Sequence, residues 1–263
     1  VTDTAGLDHV VVNVMRGMEP AAAIFAALGF TLTPLGRHSL GSINHLMMAP
    51  GAYLELVGVP ETGKQRQEVL DSPTGLSGLV FKADDADATF ARLEAAVLKP
   101  SPPVAFSRPV EIEGETLEAR FRTVRVAVEL FPAGRVYFCE HLTPELVWRT
   151  EWLSHPNGFV GMDRIEVMST APAADAARYA AAAGSTPEST TAGWSVGLDD
   201  FSIDVVAGGG PRFRTLGLRF DGLDTVRDKA AGVSDALWDE SGEGLATLII
   251  PSLELRMECR SIR

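Results

Sequence analysis

Residues 6–14 read GLDHVVVNV. A valine-rich run bounded by glycine specifies a β-strand. A histidine stands inside it, at position 9. Strand alternation puts Asp8, Val10, Val12 and Val14 on one face, and Leu7, His9, Val11 and Asn13 on the other. The valine face suits packing under a helix, which leaves His9 and Asn13 on the opposite side. Alone, such a histidine is a buried imidazole with an ordinary hydrogen bond, or a ligand.

Three more segments begin alike: LSGLVFKA from Leu76, MDRIEVMS from Met162 and TLGLRFDG from Thr215. An alanine-rich helical stretch follows each of the four: MEPAAAIFAALGF, DADATFARLEAAV, APAADAARYAAAAG and LDTVRDKAAG. Gly29, Gly184 and Gly232 sit at the expected helix ends, and Asp84, Asp85 and Asp87 crowd one helix start. Further strand candidates come next, including FTLTPL, INHLMMA and AYLELVGV in the first unit. The unit is βαβββ, four times over, so the fold class is α+β; a doubly wound sheet would alternate strand and helix throughout. Residues 1–145 form an N-terminal half and 161–263 a C-terminal half. Residues 146–160 connect them, and Thr143-Pro144 is expected to cap a helix there.

Net charge is −12 and 46% of residues are hydrophobic. An acidic surface disfavours nucleic acid and anionic membranes. Neither a membrane span nor a leader is expected. Two distant cysteines, Cys139 and Cys259, make no disulfide framework, so a reducing cytoplasm is the expected location.

The four modules, with LDHVVVNV, LGFTLTPLGRHSLGSINHLM, YLELVGV, EHLTPELVW and HPNG in residues 7–160, resemble the vicinal oxygen chelate superfamily, and more narrowly bacterial glyoxalase-like proteins. The resemblance implies that paired modules curl into a cup-shaped sheet. A divalent metal, where present, is held on its inner face by His, Glu or Gln from first and last strands. It then acts as a Lewis acid on a small oxygen-rich or carbonyl substrate. On the matching positions, His9, Glu55 and His141 are the expected ligands for Fe, Mn, Zn or Ni. A one-residue bulge would substitute Glu140 for His141; Glu140 is otherwise the spare general base. Aligning Tyr137 with Tyr53 puts Cys139 at the place of Glu55. Gly78 leaves the fourth ligand position of glyoxalase I empty.

Asn13, His38 and Asn44 are the expected substrate contacts. Simpler readings stand beside these: a salt bridge of Glu55 to Arg120 or Arg122, turn chemistry for His38, a connector role for His141. In the C-terminal half Arg164 and Gly217 replace the histidine, and that half reads as structural. The expected activity is a metal-dependent lyase, isomerase or dioxygenase. The alternative is a metal-free binding protein of the bleomycin-resistance type, and a third reading is a homodimer scaffold.

Overall fold

The computed structural model describes residues 4–263; residues 1–3, part of the stretch read for a leader, lie outside it. The first module is β1 (Leu7–Met15), α1 (Met18–Ala27), β2 (Gly36–Arg37), β3 (Ile43–Ala49) and β4 (Ala52–Gly58). After the short α2 (Gln67–Leu70) come β5 (Gly75–Lys82), α3 (Ala86–Ala95), β6 (Val104–Ile112), β7 (Glu115–Arg125) and β8 (Arg135–His141). The third module is β9 (Phe159–Ser169), α4 (Pro172–Ala183), β10 (Pro187–Ser189), β11 (Gly193–Gly197) and β12 (Ser202–Ala207). The fourth is β13 (Arg212–Phe220), α5 (Asp224–Ala230), β14 (Leu237–Gly242), β15 (Leu245–Ile250) and β16 (Leu255–Ser261).

Each half is one eight-stranded mixed sheet with the same order: β2-β3-β4-β1-β5-β8-β7-β6, and β10-β11-β12-β9-β13-β16-β15-β14. First strands pair antiparallel at the centre, and each pairs parallel with the last strand of its own module. The N-terminal sheet curls until its two ends meet. Ser39 N–H donates to the Ser107 carbonyl at 2.9 Å, and Ser107 N–H donates to Ser39 Oγ at 3.2 Å. This ties the β2–β3 hairpin to β6 and makes the cup nearly a barrel. No described helix is long and apolar enough to cross a membrane.

Local chemistry sets the element ends. The Asp85 carboxylate accepts the free N–H groups of Asp87 and Ala88 at the start of α3. Gly184, at φ 71°, ends α4 in the left-handed conformation that glycine adopts without a Cβ penalty. Gly232 makes no such cap; Ala231 ends α5 in right-handed geometry.

A large apolar cluster runs beneath both halves, with Phe30, Phe159 and Phe220 at their junction. A smaller one, with Val11, Leu46, Val57, Phe121 and Val147, lines the N-terminal cup.

Three further expectations change. Residues 30–35 are not a strand; Pro34 has no N–H for a ladder, and Thr33 alone reaches β3, its N–H donating to the Leu46 carbonyl and its hydroxyl accepting the Leu46 N–H. The connector holds two 3₁₀ turns, Pro144–Leu146 and Thr150–Trp152, in place of a capped helix. Thr143 Oγ1 accepts the Arg120 N–H instead, and Leu146 and Val147 are pulled onto the cup's apolar lining. Strand β1 also breaks its own alternation. The β1–β5 register shifts between Leu7 and His9. Across that bulge Leu7 joins Val10, Val12 and Val14 in the main core, and Asp8 turns to the side of His9.

Candidate functional site

His9 is 4% exposed, with both ring nitrogens engaged. Nδ1 meets Asp8 Oδ1 at 2.5 Å. Nε2 faces Glu55 Oε2 at 3.5 Å and the Tyr137 hydroxyl at 3.3 Å. The ring stacks on Tyr53, with centroids 4.5 Å apart and planes 13° apart. The other Glu55 oxygen accepts the Asn44 amide at 2.7 Å. That bond depends on Gly36, the ladder partner of Asn44: a Cβ on Gly36 would stand 2.2 Å from Asn44 Oδ1.

Asp8 is 1% exposed and also meets His141 Nε2, at 3.0 Å. Burial pushes its carboxyl up, but His141 and His9 outweigh that and hold it well below the usual carboxylate range. It is an anion shared by two imidazoles. Burial holds the Tyr137 hydroxyl protonated, well above its ordinary value.

His9, Glu55, Asn44 and His38 all line one central cavity of about 30 Å³. Burial first, then Arg108 and Arg66, push His38 down to about 3, so it is a neutral imidazole. Arg66, Arg108 and Arg135 line the same cavity, and sequence reasoning passed over all three. Strand alternation in SRPVEI and RVYFCEH was the signal for Arg108 and Arg135.

Other expected site residues lie elsewhere. Asn13 is fully buried and lines none of these cavities. Its amide nitrogen donates to the carbonyls of Val69 and Ser72, and its oxygen accepts the Met15 N–H. The alternation placed it on the inner face correctly, but the loop after α2 covers it. Glu140 points out of the cup, where it accepts the Ala86 N–H at the start of α3 and faces Arg122. No bulge brings it inward. His141 stands at the far side of Asp8, away from Glu55, with its ring near Trp148. His155 of HPNG accepts from Thr31 N–H and bonds the Met48 carbonyl, bracing the connector against the first module.

Register sets the correspondence between modules. His9 lies opposite Tyr53, and Val11 opposite Glu55. Gly78 lies opposite Arg135, and Val80 opposite Tyr137. Tyr137 therefore occupies the place of Glu55, and Cys139 that of Val57, a shift of two residues from the sequence alignment. In the C-terminal half Arg164 takes the His9 place and bonds Glu258 at 2.7 Å, with Asp204 at 3.6 Å.

With this geometry the chain can be compared with known proteins. Residues 7–183, well over half of the chain, match the family described as a glyoxalase-like domain. The chain belongs to the glyoxalase-like domain family. That places it in the vicinal oxygen chelate superfamily, as its paired βαβββ sheets require. Similar solved structures include a hypothetical protein from Staphylococcus aureus (TM-score 0.71, 12% identity, 97% of this chain and 99% of that one). A mutant of 4-hydroxymandelate synthase from Streptomyces coelicolor gives a TM-score of 0.57 at 14% identity, over 99% of this chain and 93% of that one. A xylose isomerase-like TIM barrel/4-hydroxyphenylpyruvate dioxygenase fusion protein gives 0.59 at 12% identity, over 98% of this chain and 49% of that one. At these identities the likeness is one of fold. No curated protein sequence matches.

Of the four ligand positions that the resemblance to glyoxalase I implies, only two are furnished in this glyoxalase-like chain. His9 and Glu55 present donors, oriented from behind by Asp8 and Asn44 as ligands are. Gly78 offers none, and a Cβ there would press on the Val11 side chain at 3.0 Å. Tyr137 holds the remaining place as a protonated phenol. Two donors facing three guanidinium groups do not make a catalytic divalent site, which takes three protein ligands. Among the described residues, one group of three donors does converge: Asp8, Cys139 and His141, within 4.8 Å of one another beside a solvent-open pocket. Its carboxylate also meets His9, outside the trio, and burial pushes the Cys139 thiol well up.

Proposed function

We propose that the N-terminal cup is the active site of a small-molecule enzyme of the lyase or isomerase type, acting on a carbonyl or oxygen-rich substrate. The Asp8–His9 pair carries this reading. A buried carboxylate on Nδ1 fixes the tautomer and stabilises the imidazolium, which leaves Nε2 to take a proton from substrate. Glu55, steadied by Asn44, adds a second negative group beside the imidazolium. The Tyr137 O–H is a donor for an oxyanion that develops as the proton leaves.

Dioxygenase or lyase chemistry on Fe, Mn, Zn or Ni is the family alternative, and the incomplete donor set counts against it. A metal-free binding protein of the bleomycin-resistance type is the second reading. Gly78 and Tyr137 in ligand places favour it.

Proton abstraction is visible as exchange. A panel of small 2-oxo and 2-hydroxy carbonyl compounds is incubated in D₂O, and loss of the α-proton is followed by NMR. Expected is exchange by the wild type on at least one member, unchanged by chelator and reduced at least 100-fold in His9→Asn. Exchange that chelator abolishes and one divalent ion restores supports the metal reading. Tight binding with no exchange across the panel supports the binding protein.

A further inference from the structure

The central cavity holds more positive charge than its neighbours neutralise. Arg66, Arg108 and Arg135 line it, against the one carboxylate of Glu55. Glu55 is itself engaged by Asn44 and His9. His38 beside them is neutral. Arg66 has a partner, Glu68, at 2.8 Å. The other two do not. Arg108 is 4% exposed, and its Nη2 is buried with no hydrogen-bond partner among the described residues. Arg135 leaves both Nε and Nη2 buried and unpartnered.

Buried N–H groups of a cation without acceptors are costly to the fold. The fold does not need that cost. In the C-terminal half, the inward Arg164 meets two carboxylates, and only its Nε is left over. A guanidinium offers paired N–H donors in a fixed fork, which a carboxylate or phosphate accepts on two oxygens.

A second cavity, of about 360 Å³, abuts the first. Arg66, Arg135 and Tyr137 line both. Its other walls include Val126, Val128 and Phe131, an apolar surface of the kind that holds a hydrocarbon body.

We propose that Arg108 and Arg135, flanked by Arg66, form an oxyanion subsite, and that the substrate is a small organic acid. Its anionic head lies between the two guanidinium groups, and its apolar body lies along Val126, Val128 and Phe131. The head then sits beside Tyr137 and within the cavity that His9 faces. This deepens the catalytic reading and rests on the N-terminal cup being the ligand site. Binding and proton exchange are therefore measured separately.

The probes are phenylacetate, phenyl phosphate and the neutral isostere phenylacetamide, titrated calorimetrically at fixed ionic strength into wild type, Arg108→Gln, Arg135→Gln and Arg214→Gln. Arg214 lies in the C-terminal half, paired with Glu166, and serves as the charge control. Expected is binding of at least one acid ten times or more tighter than the amide, a tenfold or greater loss in each cup variant, and no change in Arg214→Gln. The unliganded cup variants are expected to melt no lower than wild type, because each sheds an unpartnered buried cation. Acids bound no better than the amide, or bound equally by all four proteins, overturn the proposal. So do cup variants that unfold, since the guanidinium groups are then structural. Acid binding without exchange on any substrate sinks the catalytic reading and leaves the subsite standing. Exchange on uncharged substrates, with no preference for acids, does the reverse.

Discussion

Two titratable side chains, Asp8 and His38, contribute to the pH dependence of stability. Asp8 is held below its ordinary range in the folded state. Its contribution is present above the unfolded carboxylate value and is lost as pH falls through the folded one. Replacing it leaves two imidazoles without their shared anion. Asp8→Asn is expected to cost about 3 kcal/mol in urea unfolding at pH 7. His38 is also depressed, to about 3. Below about pH 6.5 the unfolded chain takes up a proton there that the folded chain refuses, so stability falls as pH falls. Wild type is expected to lose up to about 1.4 kcal/mol more per pH unit than His38→Gln between pH 6 and pH 4. Parallel stability curves for the two proteins exclude a depressed, neutral His38. His9 and Glu55 were legible at this scale, because an imidazole and a carboxylate interrupt apolar strands. Asp8 was not: strict alternation assigned it to the valine face, and a bulge that no side chain announces reversed it.

Among elements, the β2–β3 hairpin holds the site in register. Gly36 leaves room for the Asn44 amide, and Asn44 holds Glu55. Gly36→Ala drives a methyl into that amide and toward the Arg108 side chain. It is expected to cost about 1–3 kcal/mol and to weaken binding of the acid probe, read by thermal melting and titration. Unchanged affinity would remove the hairpin from the site. The modules were legible in the sequence because helix and strand periods differ and the pattern recurs four times. Pairing register was not, since YLELVGV and RVYFCEHL align equally well two residues apart. That offset moved Tyr137 to the Glu55 place and took Cys139 from it. Arg108 and Arg135 went unnoticed because an arginine in a strand reads first as solvent-facing, although alternation puts Arg108 on the side of the buried Val110 and Arg135 on the side of Tyr137.

At the scale of the whole molecule, the two halves share a core. Phe30 packs on Phe159 and Phe220, and Phe131 on Tyr179. Unfolding is expected to be a single transition by both tryptophan fluorescence and circular dichroism; two separated transitions would show halves that fold independently. The C-terminal cup closes its own charges through Arg164, Asp204 and Glu258, whereas the N-terminal cup leaves guanidinium groups open. One cup is therefore expected to bind ligand. The direct test is a long-range ¹H–¹⁵N NMR spectrum of the five histidines, recorded as phenylacetate is added. Expected is a His9 with Nδ1 protonated toward Asp8 and an Nε2 signal that moves on titration, while His45 and His155 stay fixed. A saturating ligand that leaves His9 unmoved contradicts the assignment of the N-terminal cup as the working site.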